Sequence, residues 1–582
     1  MTIDPIHPGI IFILGAILLQ FLKFRTLKQL LVLIIPAVAF GMLLQMPEGS
    51  YWTYDFLTYK LVLGRVDRLS MVFGYIFIII AFLGMVYAIH IKESGQHVAA
   101  LIYIGATLGV TFAGDLFTLF VFWELMAISS VFLVWYSKTD RALKAGFRYL
   151  MVHLFGGCVL LAGIIIYVSE TGSTSFTQIE FNGLGPVLIL VGFILNAAVP
   201  PLNAWLPDAY PEGTVTGSVI MTAFTTKSAV YVLARAFPGV ELLVWLGAIM
   251  ALYGIVFAII ENDIRRLLAY HIISQVGYMV CGVGIGTEMA INGATAHAFC
   301  HILYKALLFM GAGAVLYVTG RSKVTDLEGR GLYKKMPITL ILYMIGAFSI
   351  SGVPLFNGFI SKSMIGAAAG ADHRPIIEIM LHLASVGTFL SVGLKLPWGT
   401  WFGKSKGPAE QIEAKEPPFN MILAMSLTGF LCILTGCMPS LIYNILPFPV
   451  HFHPYAGYHV IGMCQLILLT GLVFYLVVNK LTPHATRSLD TDWFYRKGAD
   501  LVMKFCYGIS DFRTYIQGKT TKLIDGLIKL SENPGYYSRS IINKNEKKLD
   551  VFDPDFYRQP VGIGVMISLV IFSLYCIIFL SK

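Results

Sequence analysis

The sequence predicts an all-α integral membrane protein of about sixteen transmembrane helices, with two inverted five-helix repeats that each contain a broken helix. Three observations lead there. Of 582 residues, 57% are hydrophobic and 13% charged, and with a mean hydropathy of +0.74 the chain carries more apolar surface than a soluble fold can hide. Apolar windows of bilayer-spanning length recur along almost the whole chain. Two of those windows are interrupted at corresponding places by proline.

With a window of about 19 residues, candidate spans fall near 9–22, 29–46, 69–92, 98–114, 116–136, 147–168, 186–204, 215–237, 243–261, 264–285, 289–318, 336–364, 379–397, 420–442, 457–479 and 561–580. Basic loops orient them. Lys23, Arg25 and Lys28 follow the first span, Lys138, Arg141 and Lys144 the fifth, and Arg265 and Arg266 the ninth. Arg321, Lys323, Arg330, Lys334 and Lys335 follow the eleventh, and Lys404, Lys406 and Lys415 the thirteenth. Loops after even spans are poorer in Lys and Arg, the main exception being Lys60, Arg65 and Arg68 beside Asp55 and Asp67. The positive-inside rule therefore puts the odd-span loops in the cytoplasm and both termini on the non-cytoplasmic side of a cytoplasmic (inner) membrane. The formal charge of +9 belongs to these loops and calls for no nucleic-acid partner. MTIDPIHPGI lacks the basic flank and cleavage site of a secretory signal, so the first span is expected to stay. The cysteines, Cys158, Cys281, Cys300, Cys432, Cys437, Cys464, Cys506 and Cys576, have no metal-type spacing and lie mostly in apolar runs, which predicts neither a disulfide framework nor a metal site.

The seventh span is interrupted by Pro200-Pro201 and the twelfth by Gly352-Val353-Pro354. An interior proline removes an amide donor and clashes with the preceding turn, so both helices are expected to break at membrane depth. Such breaks are tolerated where they are buried in protein or line a wet cavity. They stand five spans apart, and a repeat of five spans inverts its topology. The predicted organisation is thus N-terminal helices over 1–95, a first repeat over 96–238 (spans four to eight), a second over 239–400 (spans nine to thirteen), further C-terminal helices over 401–480, an amphipathic extension over 481–558 and a final anchor over 559–582.

Ionisable residues within spans carry the functional information, because each costs roughly 2.5–3.5 kcal/mol at a helix centre on insertion scales. They form a series: Glu124 in span five, Lys227 in eight, His297, His301 and Lys305 in eleven, Lys362 in twelve and Lys395 in thirteen. His297, His301 and Lys305 recur one turn apart on one helical face, the arrangement a line of proton-exchanging groups needs. For Lys305 and Lys395, snorkelling or a bond to broken-helix carbonyls is the competing reading.

The residues that carry this series also carry a resemblance over roughly residues 60 to 400: PLNAWLPDAYPEGTVTGSVIMTAFTTKSAVYVLAR, ENDIRRLLAYHIISQVGY, AHAFCHILYKALLF and SGVPLFNGFISKSMI. The chain resembles the proton-translocating antiporter family, which includes the D-type component of Mrp Na+/H+ antiporters and the homologous membrane-arm subunits of complex I and of membrane-bound hydrogenases. The resemblance implies fourteen or more helices with two inverted repeats. It makes Glu124 the fifth-helix glutamate, Lys227 the central lysine, His297 and His301 the eleventh-helix histidines and Lys362 the terminal lysine.

The chain departs from the family pattern at Asn196, where the seventh helix usually carries a lysine that pairs with the glutamate. An asparagine bonds water but does not hold or release a proton near neutral pH. Either Glu124 has another partner or this chain does not pump. His153 and Lys227 are the candidate substitutes, and for His153 a satisfied core histidine is the competing and somewhat stronger reading. Arg265 stands where many members have lysine, and Gln275 where many have histidine. A nearby carboxylate favours a charged lysine. The expected mechanism is that Lys227 takes a proton from a cytoplasmic water path when Glu124 is drawn close. When Glu124 withdraws, Lys227 gives the proton to His297, His301 or Lys305, and Lys362 passes it on.

Within 481–558, Leu501, Val502, Phe505, Ile509, Phe512 and Ile516, then Leu523, Leu527, Ile528 and Leu530, recur at helical spacing among lysines and arginines. This predicts an amphipathic helix on the cytoplasmic membrane surface, either clamping a neighbouring subunit or peripheral without a partner. The distal membrane-arm component of complex I has a comparable lateral helix and final anchor.

Two functions follow. The first is a proton-translocating subunit of a multisubunit monovalent cation (Na+)/proton antiporter. The alternative is an antiporter-like membrane subunit of a redox-driven complex, NADH dehydrogenase or membrane-bound hydrogenase. No glycine-rich dinucleotide loop or cysteine cluster is present, so no cofactor is expected in this chain and redox chemistry would belong to partners. The expected partners are other membrane subunits, protons, the bilayer and, on the slender sign of Thr222, Thr225, Thr226 and Ser228 beside Lys227, Na+.

Overall fold

The computed structural model describes residues 6–403, 413–478, 490–532 and 560–580. Lys404 and Lys406, and residues 481–489 and 533–558 of the extension, lie outside them. The chain is helical almost throughout, and it is a multi-pass membrane protein. Thirteen helices among the described residues are long and apolar enough to cross a membrane, and three shorter apolar helices, Pro8–Phe21, Leu184–Asn196 and Pro337–Ser351, accompany them.

Helices α1 (Pro8–Phe21) and α2 (Arg25–Leu43) precede a hairpin, β1 (Gly49–Phe56) and β2 (Tyr59–Val66), paired antiparallel from Gly49 opposite Val66 to Phe56 opposite Tyr59. The apolar windows did not announce this hairpin. It precedes α3 (Arg68–Ala88), opened by a capping box in which Asp67 accepts from the Ser70 amide and the Ser70 hydroxyl from the Asp67 amide. Next come α4 (Ser94–Phe112), α5 (Leu116–Trp135), α6 (Asp140–Thr171) and α7 (Leu184–Asn196).

The chain breaks after α7, as the prolines predict, resuming as α8 (Trp205–Ala209); Trp205 Nε1 donates to the Leu195 carbonyl of the last turn of α7 at 3.0 Å. The eighth span is also broken, into α9 (Val215–Met221) and α10 (Thr225–Ala236), with no proline or glycine in the gap. Its cause is tertiary: the Tyr103 hydroxyl of α4 takes the Thr225 amide at 3.0 Å and so caps α10 from outside.

Then follow α11 (Glu241–Ile260), α12 (Ile264–Ile285), α13 (Glu288–Thr319) and the short α14 (Val324–Leu327) and α15 (Leu332–Lys335). Helix α16 (Pro337–Ser351) breaks at Gly352, whose φ of +77° suits a residue without Cβ, and α17 (Asn357–Ala371) resumes. Helix α18 (Pro375–Thr388) runs on as π-helical turns over Phe389–Lys395 and Trp398–Phe402. Helices α19 (Phe419–Cys437), α20 (Ser440–Tyr443) and α21 (Gly457–Val477) follow.

Small residues let neighbouring helices approach closely. A Cβ on Gly247 or Gly254 of α11 would lie 2.3 Å from the Cys281 nitrogen or 2.5 Å from the Ser274 nitrogen of α12, the backbone proximity that drives helix association in lipid. Helix α12 and the broken α9–α10 span are wholly buried, whereas only 17% of the best window of α21 is.

The compact unit of these elements ends at Asp492, and residues 493–582 form a second unit. The latter contains all but the first residue of α22 (Asp492–Glu532, 41 residues) and the whole of α23 (Val561–Leu580). Leu501, Val502, Phe505, Ile509, Phe512, Ile516, Leu523, Leu527, Ile528 and Leu530 of α22 are all exposed.

Candidate functional site

The charged residues of the series converge on the most buried helices. Lys227, His297, His301 and Lys305 have no exposed surface (0%), and Lys362 and Lys395 retain 4% and 6%. Three of the four lysines are seated on main-chain carbonyls. Lys227 Nζ donates to the carbonyl of Thr222, at the gap between α9 and α10, and to Thr226 Oγ1 at 3.1 Å. Lys362 Nζ, beyond the second proline break, donates back to the Ile350 carbonyl at 2.7 Å and lies 5.0 Å from the centre of the Tyr278 ring. Lys395 donates to the carbonyls of Ile259 and Glu261, where α11 ends. A helix end leaves carbonyls without intrahelical partners, so each interruption creates the acceptor that its lysine uses.

Lys305 Nζ has no hydrogen-bond partner among the described residues and stands 5.9 Å from the Phe309 ring centre. Neither ring nitrogen of His301 has a partner, whereas His297 Nδ1 is 2.9 Å from Ser361 Oγ and its Nε2 3.4 Å from the Tyr304 hydroxyl.

Glu124 on α5 is half-buried and its Oε1 has no hydrogen-bond partner among the described residues. That oxygen fills the place of a missing side chain on α6: a Cβ on Gly157 would lie 1.7 Å from it. One turn earlier on the same face stands His153, 1% exposed, whose Nδ1 is 2.8 Å from Asn196 Oδ1 and whose Nε2 has no partner among the described residues. Tyr149 and Trp205 pack against the imidazole with ring centroids 4.2 and 4.5 Å away. The structure thus joins Asn196 to His153 and places Glu124 beside the same helix face, while Lys227 bonds threonine oxygens and not Glu124.

Sequence reasoning passed over His271 and Ser274 of α12 and marked Gln275 only as a departure from the family pattern. His271, Ser274 and Gln275 are completely buried (0%), and with Tyr278 they recur at helical spacing. That stripe within an apolar span is the signal that would have found them. Bidentate ion pairs flank the site. Arg148 holds Asp208 at 2.7 and 3.0 Å, and Arg235, two turns beyond Lys227, holds Asp67 at 2.7 and 2.8 Å. Among the described residues no group of three or more His, Cys, Asp or Glu side chains is placed to hold a metal ion.

Residues 113–391 match the family described as NADH:quinone oxidoreductase/Mrp antiporter, TM. The A-type component of the Na(+)/H(+) antiporter of Alkalihalophilus pseudofirmus is 27% identical over 500 residues, 74% of this chain and 62% of that protein. The chain thus spans less than two thirds of that relative. The N-type component of the NADH-quinone oxidoreductase of Desulforudis audaxviator is 30% identical over 54% of this chain and 68% of its own length. A chain in the structure of the membrane-bound sulfane sulfur reductase, an archaeal respiratory membrane complex, shares the fold with a TM-score of 0.70 at 22% identity, covering 97% of this chain and 99% of that one.

Proposed function

Because this chain belongs to the NADH:quinone oxidoreductase/Mrp antiporter transmembrane family, we propose that it is the proton-translocating subunit of a multisubunit monovalent cation (Na+)/proton antiporter. The observation that carries this reading is the column of Lys227, His297, His301, Lys305 and Lys362, all 4% exposed or less and none in an ion pair among the described residues. Charges so placed are costly to insert, and the ability to gain and lose a proton is what such a column offers in return. Lys227 takes the proton on the cytoplasmic side, the histidines and Lys305 relay it, and Lys362 and Lys395 carry it onward.

Asn196 reroutes the first step. If His153 Nδ1–H donates to Asn196 Oδ1, Nε2 is left with a bare lone pair, so the asparagine fixes the tautomer that lets His153 accept a proton beside Glu124. His153 then stands in for the missing lysine.

The inverted-repeat reading, 96–238 against 239–400, draws support from a constant spacing. The same interval separates the helix-capping Asp115 from Asp263, Thr139 from Thr287, the left-handed Gly172 from Gly320, and His153 from His301. Asp115 and Asp263 each form an antiparallel bridge, to Ser175 and Lys323, again at that interval. The basic loops support a cytoplasmic-membrane location with both termini outside, and the partners are further membrane subunits.

A second reading, as part of a redox-driven complex, is favoured by the archaeal respiratory chain, whose structural likeness covers 97% of this chain where that of the Mrp complex chain from Dietzia covers 75%. The deciding experiment reconstitutes the purified native complex in proteoliposomes and measures proton flux driven by a Na+ gradient, with Lys227→Ala as the variant. Loss of flux is expected. Flux unchanged in Lys227→Ala would refute the column.

A further inference from the structure

His271 has no part in the column just described, yet its surroundings are those of a relay group. It lies on α12 with 0% exposure, its Nε2 2.6 Å from Ser391 Oγ and its Nδ1 without a partner among the described residues. The Ser391 hydroxyl gives its one proton to the Gly387 carbonyl at 2.7 Å. With that proton so engaged, the oxygen is free to accept from His271 Nε2–H, the tautomer that leaves Nδ1 as a bare acceptor. A buried polar atom without a partner is costly, so packing alone does not account for histidine here.

The position completes a path. His297 Nε2 is 3.4 Å from the Tyr304 hydroxyl, which is 3.4 Å from Gln275 Oε1, and Gln275 Nε2 is 3.4 Å from Thr388 Oγ1. Gln275 stands one turn from His271 on the same face of α12. On the facing element Ser391 follows Thr388 by a turn and precedes Lys395 by another. Between His297 and Lys395 the tyrosine and hydroxyl groups pass a proton only by giving up their own, and a primary amide does not carry one near neutral pH. His271 is the group on this stretch that can store one.

We propose that His271 is a further proton-relay residue, linking the His297–Tyr304 pair to Lys395 through Ser391. This rests on the proton-translocation reading above. A proton arriving on Nδ1 makes an imidazolium, and Nε2 then releases its proton to Ser391 Oγ. The hydroxyl's own proton leaves through water to the neutral Lys395 amine, and His271 remains neutral with its proton on Nδ1.

The test uses the whole complex in proteoliposomes, compared with wild type and with Lys227→Ala. His271→Gln keeps a donor for Ser391 but cannot be protonated, and it is expected to lower flux by about a hundredfold while the complex copurifies intact. His271→Gln combined with Gln275→His returns an imidazole to the same face and should recover flux to within about tenfold of wild type. Should His271→Gln prevent assembly, Ser391→Ala reads the same step and should slow flux several-fold. Flux in His271→Gln matching wild type, a loss that Gln275→His fails to recover, or unaltered flux in Ser391→Ala would each overturn the relay, provided Lys227→Ala is inactive. An active Lys227→Ala would bring down the whole column, His271 with it.

Discussion

Glu124 owes its position to an absence. Gly157 is the gap in α6 that its carboxylate occupies, and a methyl group there would sit 1.7 Å from Oε1. Since the clash is with the end of a side chain, Gly157→Ala should assemble normally while turning the carboxylate away from His153. Misplacement by about 1 Å can cost on the order of a hundredfold, and a fall of at least tenfold is expected in the liposome flux assay, with an unchanged yield of complex. His153→Gln, which keeps a donor toward Asn196 but cannot be protonated, should lower flux comparably; full activity would return His153 to the role of core histidine. Asp67, outside the spans, behaves differently. Burial works to raise its carboxyl, but the hydrogen bonds and charge of Arg235, helped by the Ser70 amide and Arg65, outweigh burial and hold it below the usual carboxylate range. Its stabilising contribution is therefore complete above the unfolded value near about 4 and is lost as pH falls from there through the depressed folded value. Thermal unfolding followed in detergent should show this acid-side decline, and Asp67→Asn should flatten it.

At the scale of elements, the prolines made two of the three helix interruptions legible, and the third shows why sequence could not supply the rest. Thr222, Ala223 and Phe224 contain no breaker, and the gap there depends on Tyr103, over a hundred residues earlier, capping Thr225. The hairpin of Gly49–Val66 was hidden for a related reason: YWTYDF and YKLVLGRV mix aromatic, charged and aliphatic residues without the uniform apolarity of a span or a clean alternation. Within the site, the charges were conspicuous because hardly any other group in their spans is ionisable. His271 was not, because an imidazole in an apolar run reads as core until its neighbours Ser274, Gln275 and Tyr278 are counted with it. The break at Gly352 permits a stability prediction. With φ of +77°, Gly352→Ala should destabilise the protein by about 1–3 kcal/mol, measured as a lowered unfolding midpoint in detergent. The corresponding Ala198 carries a Cβ at φ of +58°, and Ala198→Gly should not destabilise to that extent.

For the whole molecule, the polar site lies in the helices with the least exposed surface, while α22 and α23 expose apolar side chains along their described lengths, as elements that meet lipid or other subunits do. Mass spectrometry of the complex copurified from native membranes therefore decides between the two readings: small hydrophobic antiporter subunits alone are the outcome the antiporter proposal expects, and iron–sulfur or hydrogenase subunits would establish the redox-driven alternative. The carbonyl seats of Lys227, Lys362 and Lys395 have a mechanical consequence. Each ammonium ties together two stretches of backbone that the helix ladder leaves unjoined, so a lysine that surrenders its proton loosens a joint as well as a charge. On the proposed path, occupancy would be written into local opening, and amide hydrogen exchange at the joints around Thr222, Ile350 and Glu261 should quicken as the lysines empty.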